Sequence, residues 1–381
     1  MQIRHPVSGA VSMSVQYPKF KAAACHVASV FLDSTASAEK AVALIGEAAR
    51  AGADLVVFPE GYMPGFPLWA ALRAPIHNHD LFKRLAAQSV RLDGPEIGAV
   101  RAAARRHGVL VSLGFSESTE ASVGCLWNAN VLIGRDGAIL NHHRKLVPTF
   151  YEKLIWANGD ARGLRVTRTE IGRVGMLICG ENTNPLARYT LMAQGEQVHI
   201  STYPPAWPTR PPGESAAYDL KRAIEIRAGA HAFEAKVFNI VCSAVLDAAA
   251  RATLCDGDAA LAELVERTPA GVSMVLDPTG SHVVEPHQGD ETIVYADIDV
   301  EACVEPKQFH DVVGYYNRFD IFRLHVDRTP REPISFDAAA RPSGVAADGV
   351  DGLEALDPDG ARAQPGLGEA APAPPLRRAG H

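Results

Sequence analysis

The sequence lacks closely paired cysteines, a long basic run, and any apolar stretch of membrane-spanning length. Each absence excludes something. Cys25, Cys125, Cys179, Cys242, Cys255 and Cys303 are scattered with no Cys-x-x-Cys pair, which speaks against a disulfide framework or a four-cysteine zinc site. Most of the six are expected to be small buried hydrophobes. Lys and Arg number 37 against 44 Asp and Glu, a net charge of −7. Nucleic-acid phosphates need clustered basic residues, so no such partner is expected. A bilayer span needs about 20 consecutive apolar residues, and none occurs, so no membrane partner is expected either. The opening MQIRHPVSGAVSMSVQYPKF has no apolar core of a secretion signal, which makes the cytoplasm the expected compartment. No internal repeat is present, which excludes a solenoid.

What is present is a chain of 381 residues, 47% hydrophobic, long enough to bury a large core. Strand and helix patterns alternate. FKAAACHVASVF, ADLVVFPE, VLVSLGFSE, RVGMLICGE, QVHISTYPP, KVFNIVCSAV and TIVYADIDV read as strands. Residues 37–51, 95–107, 188–194 and 219–235 read as helices, the first two closed by Gly52 and Gly108. WNANVLIGRDGAILNHHRKL reads as a hairpin turning at Asp136-Gly137, and SMVLDPTGSHVV as a second turning at residues 277–280. Such a mixture predicts mixed sheets with helices packed outside, for which an α/β/β/α sandwich is one solution. From about Arg331 the composition shifts to Pro, Ala, Gly and Asp, with few aromatic or β-branched residues. That stretch cannot bury enough apolar surface to offset its ordering entropy. The expected organisation is an N-terminal extension over 1–18, a core domain over 19–330 and a flexible tail over 331–381.

Three residues close strands or hairpins within dense local motifs. Glu60 ends LVVFPEGY, at the rim of a sheet where α/β proteins place their sites. Taken alone it reads as a solvated turn residue. Lys145 follows the first hairpin, among Leu146, Val147, Phe150 and Trp156, which would partly desolvate it. Cys179 stands where an apolar strand meets Gly180, an arrangement that lifts a nucleophile above a sheet edge. The polar string GENTN after it argues against burial. Together the three supply a base, a cation and a nucleophile, a set that needs no metal and no cofactor. Other residues read more plainly. His77 and His79 lack a third ligand at motif-like spacing. His142 and His143 are adjacent on a strand and point to opposite faces. YPPAWPTRPP follows a strand at the site end, as a pocket wall would, although a polyproline docking segment has the same composition.

The segments FPEGYMPGFPLW, HHRKLVPTFYEKLIWANGD and CGENTNPLARYTLMAQGEQVHISTYPP resemble the nitrilase branch of the nitrilase superfamily, over about Phe20 to Leu324. The resemblance implies a four-layer α/β/β/α sandwich over the core domain. It implies a Glu-Lys-Cys set at Glu60, Lys145 and Cys179, with a further glutamate at Glu152. It implies an acyl-binding wall at Trp156, Pro204 and Trp207, and pairing into homodimers that can extend into spirals. The implied reaction is hydrolysis of an organic nitrile by water to an acid and ammonia. An amidase or carbamoylase of the same superfamily would use the same residues, and a non-catalytic binding protein could share the scaffold. Two positions depart from the family pattern. Gly180 stands where Trp is usual, which is expected to enlarge the substrate pocket or to give the turn backbone angles closed to Trp. Phe319 replaces the proline in a Gly-His-Tyr-x-Arg-Pro-Asp-like segment at residues 314–320.

Overall fold

A computed structural model describes residues 16–214 and 218–329. The strands are β1 (Lys19–His26), β2 (Leu55–Val57), β3 (Leu110–Ser118), β4 (Leu126–Ile133), β5 (Ile139–Arg144), β6 (Thr167–Thr169), β7 (Gly172–Ile178), β8 (Val198–Tyr203), β9 (Phe238–Ser243), β10 (Met274–Leu276) and β11 (Thr292–Asp299). The helices are α1 (Ser34–Arg50), α2 (Trp69–Leu72), α3 (His79–Gln88), α4 (Pro95–His107), α5 (Pro185–Met192), α6 (Leu220–Ala235), α7 (Ala248–Cys255), α8 (Ala259–Arg267) and α9 (Val304–Phe309). One sheet runs β11-β1-β2-β3-β4-β5 and the other β10-β9-β8-β7-β6.

Strand alternation builds the layers. On β1, Ala22 and Ala24 face inward to Val174, Met176, Val198 and Ile240 of the second sheet. Ala23 and Cys25 face the other way, toward Ala41 and Ile45 of α1 and Ile97 and Val100 of α4. On the far side, Ile178 and Val241 share a cluster with Ile224, Ala228 and Ala232 of α6. The result is the expected α/β/β/α sandwich.

Local signals account for most boundaries. Asp33 Oδ1 caps α1 by accepting from Ala36 N, and Asp219 Oδ1 caps α6 by accepting from Arg222 N. The turn at Asp136-Gly137 closes with Gly134 N–H donating to Ala138 O at 2.8 Å. The turn after β10 forms where expected, with Asp277 N–H donating to Ser281 O at 2.8 Å. Its second arm, however, makes only an isolated bridge at His282. The helix expected at 188–194 begins earlier, at Pro185, where Asn184 caps it. The expected 331–381 tail and residues 1–15 of the extension lie outside the described residues. No helix among those described is long and apolar enough to cross a membrane.

Candidate active site

Topology brings the three expected residues to one end. β2 and β3 are parallel, β4 reverses, and β5 reverses again. The C-terminal ends of β2 and β5 therefore point the same way, and Glu60 and Lys145 follow them. On β3, Gly114 keeps this end close: a Cβ there would lie 2.2 Å from Pro59 O and 3.0 Å from Glu60 Cα. Only glycine lets the Glu60 turn rest on the strand.

Lys145 Nζ donates to Glu60 Oε1 at 2.7 Å and to Glu152 Oε1 and Oε2 at 2.8 and 2.7 Å. All three residues are buried. Asn128 Nδ2 also donates to Glu60 Oε1, at 2.7 Å, while Glu60 Oε2 is buried with no partner among the described residues. Oxygens of Glu60 and Glu152 and the Cys179 sulfur lie within 4.8 Å of one another. Burial pushes the Lys145 ammonium down, but Glu152 and Glu60 outweigh it and hold it above its ordinary value. Burial, opposed by Lys145 and aided by Glu60, pushes the Glu152 carboxyl up to about 7. Burial and then Glu60 hold the Cys179 thiol well above its ordinary value, against the pull of Lys145. The resting sulfur is therefore a thiol and needs a base at the moment of attack.

Lys145 is buried as expected, but not by all the expected neighbours. Val147 and Phe150 are exposed, and Trp156 is buried. Cys179 is buried too, contrary to the reading of GENTN as a solvated string. Glu181 and Asn182 are themselves buried, because their side chains hold the turn. Glu181 Oε2 accepts from Ile178 N at 2.8 Å, and Asn182 Nδ2 donates to Cys179 O at 3.1 Å. Asn182 Oδ1 is met by His199 Nε2 at 2.9 Å, and Glu196 joins His199 to His231 at 2.7 Å each. Single residues of α6, β8 and the loop before it thus reach the Cys179 turn through one buried chain. Sequence reading missed this chain: Asn182, Glu196 and His199 lie within the third quoted segment, but nothing local marks them as partners of His231.

The left-handed residue of the turn is Cys179, not the glycine. Cys179 has φ +50°, and Gly180 lies outside that region. A side chain tolerates φ near +50° at some cost, and such strain gathers at functional turns. Nor does Gly180 open space for substrate. A Cβ on it would meet Thr149 Oγ1 at 2.5 Å, so Thr149 occupies the place expected to be free. Thr149 N in turn donates to Glu152 Oε2 at 2.9 Å.

The expected wall residues gather nearby. Trp156, Trp207 and Cys179 belong to one buried cluster, and Pro204 is buried beside it in the chain. Trp156 Nε1 donates to Ser116 Oγ at 2.9 Å. Phe66 meets Trp156 edge-on at 5.6 Å, and Tyr151 stacks on Trp207 at 4.3 Å. The Tyr151 hydroxyl is buried without a partner among the described residues. Outside it, Phe150 and Pro208–Pro212 line a cavity of about 390 Å³. Phe66 and Tyr151 were not singled out from sequence, because aromatic residues flanking a motif also serve as ordinary core.

Among the described residues, two groups of side chains have donor atoms close enough for a metal. In Glu60/Glu152/Cys179 the Lys145 ammonium already supplies the cation. In Glu196/His199/His231 each carboxylate oxygen meets a ring nitrogen at 2.7 Å, a proton-sharing distance. His77 and His79 are exposed and belong to neither group. His142 and His143 do diverge, to Glu117 and Glu181.

The family model described as carbon-nitrogen hydrolase matches residues 21–308. The chain is 34% identical to a nitrilase of Paraburkholderia phymatum, over 82% of this chain and 88% of that one. It is 34% identical to a cyanide hydratase of Gibberella zeae, over 83% and 89%. The crystal structure of a carbon-nitrogen hydrolase from Helicobacter pylori G27 superposes with a TM-score of 0.61 at 20% identity, covering 80% of this chain and 97% of that one. The chain belongs to the carbon-nitrogen hydrolase family, on its nitrilase branch.

Proposed function

We propose that this protein hydrolyses an organic nitrile to the carboxylic acid and ammonia, with Cys179 as nucleophile, Glu60 as base and Lys145 as the cation at the nitrogen. The observation that carries the reading is the buried Glu60–Lys145–Glu152 cluster with the Cys179 thiol beside it. Glu60 takes the thiol proton while the sulfur attacks the nitrile carbon. A carbon–nitrogen π bond breaks, and the nitrogen receives a proton by way of Lys145, giving a thioimidate. Glu60 then deprotonates a water, which adds to the same carbon. Ammonia leaves and a thioester remains. A second water cleaves it, releasing the acid and returning the thiol. Glu152 holds Lys145 in place. Trp156, Trp207 and Pro204, with Tyr151, form the wall for the acyl part.

An amide would reach the same thioester, so the two substrate classes must be compared directly. Ammonia release and amide formation are both measured on matched nitrile and amide pairs, with hydrogen cyanide included because three relatives are named cyanide hydratases. Nitrile turnover above amide turnover is expected, and Cys179→Ala should abolish it while the protein stays folded. Turnover of amides alone would transfer the reading to an amidase. No turnover, together with no alkylation of Cys179 by iodoacetamide, would leave a binding protein on this scaffold. We further infer pairing into homodimers and larger assemblies; the exposed Phe309, Tyr315, Tyr316 and Phe322 support an apolar contact.

A further inference from the structure

Lys145 and Cys179 stand on different sheets, Lys145 after β5 and Cys179 after β7. Ladder hydrogen bonds fix neighbours within a sheet, but no ladder joins these two strands. Something else must set the distance between the two groups at this end. One buried side chain spans the gap. Glu181 Oε1 accepts from Leu146 N, the residue after Lys145, at 2.5 Å. Glu181 Oε2 accepts from Ile178 N, the residue before Cys179, at 2.8 Å. The same Oε2 meets His143 Nε2 of β5 at 2.9 Å.

We propose that Glu181 is a positioning residue: its carboxylate clasps the backbone beside Lys145 to the backbone beside Cys179 and sets the separation of cation and nucleophile. This rests on the reading of those two residues as the reacting pair. The chemistry of the group suits the role. A carboxylate is acceptor-only, and here both oxygens face N–H donors. It has no proton to give, so His143 Nε2 carries the hydrogen. Burial works against the charge, but His143 and the Leu146 and Ile178 amides outweigh it and keep the carboxyl below its usual range. A glutamine of equal size would turn an NH₂ toward a backbone N–H whichever way it lay. An aspartate keeps the charge but is one methylene too short to reach both strands.

The tests are Glu181→Gln and Glu181→Asp, each compared with the unaltered enzyme. Three quantities are read: kcat and KM on the best nitrile, the thermal midpoint, and the iodoacetamide alkylation rate of Cys179. Lys145 favours the thiolate, so a displaced Lys145 should slow alkylation. Each variant should lose at least about tenfold in kcat, since small misplacements of reacting groups cost up to about a hundredfold. KM should stay within about threefold, and alkylation should slow several-fold. A variant that melts earlier but keeps kcat and alkylation within about twofold would make Glu181 a structural residue only and overturn the proposal. If Glu181→Gln does not fold, Glu181→Asp decides by the same criteria. Alkylation needs no substrate. A wild-type enzyme that hydrolyses no nitrile would sink the nitrile reading, while the alkylation ratio would still decide for or against the clasp.

Discussion

At the scale of single residues, the position after Cys179 is the most instructive. Its glycine suggested a wider pocket or a special backbone angle, and the structure shows neither. Cys179 takes the left-handed angle, and Thr149 fills the space beside Gly180. A side chain at 180 would press on Thr149, whose backbone N–H is bound to Glu152, which holds Lys145. Gly180→Ala should therefore lower kcat by about tenfold or more on small and bulky nitriles alike. Overpacking should cost about 1–3 kcal/mol of stability. Steady-state kinetics on one substrate of each kind check this; loss confined to the bulky substrate would restore the volume reading. Glu60, Lys145 and Cys179 were legible because each closes a strand within a dense motif. Glu181 was not, because a glutamate in a polar string looks solvated until the facing strand is known.

At the scale of elements, the buried chain joining α6 to the Cys179 turn predicts a response to acid. Burial raises the Glu196 carboxyl, but His199 and His231 outweigh it and hold it down to about 2. Burial and then His199 lower His231 to about 4, against the pull of Glu196. Both groups bind a proton more tightly in the unfolded chain. Their contribution to stability is thus present at neutral pH and lost as pH falls, His231 first, between about 6.5 and 4. The denaturation midpoint should fall over that window. His231→Gln keeps a donor that does not titrate and should flatten the slope there; an unchanged slope would remove His231 from the account. Long strands and capped helices could be read from the sequence by period and punctuation. β6 spans only three residues, too few to show alternation. Helices α7 and α8 are short and rich in alanine, with Asp247 and Asp258 as the caps that could have marked them.

At the scale of the molecule, the proposed assembly rests on the composition after Arg331 and on the exposed aromatic residues before it. Deleting residues after about Ala340 should leave the thermal midpoint of the core within a few degrees and change the particle size. Light scattering and calorimetry on both forms check this. A truncated protein that fails to fold would make the tail part of the core.

Through its resemblance the sequence pointed to the four-layer sandwich, and its period-2 apolar runs between amphipathic helices limited the layers to mixed sheets with helices outside. By itself it determined which residues stand at strand ends, because that is a local property of turns and glycines. Tertiary structure alone decided which strand ends meet. Lys145 finds Glu60 because two antiparallel steps turn β5 back to the direction of β2, and it finds Cys179 because the two sheets pack face to face. It decided burial too: Lys145, Glu181 and Asn182 are polar in any local window, and only partners distant in sequence let them lie inside. A hydrogen bond between residues 35 apart, like that from Leu146 to Glu181, leaves no trace in a local window.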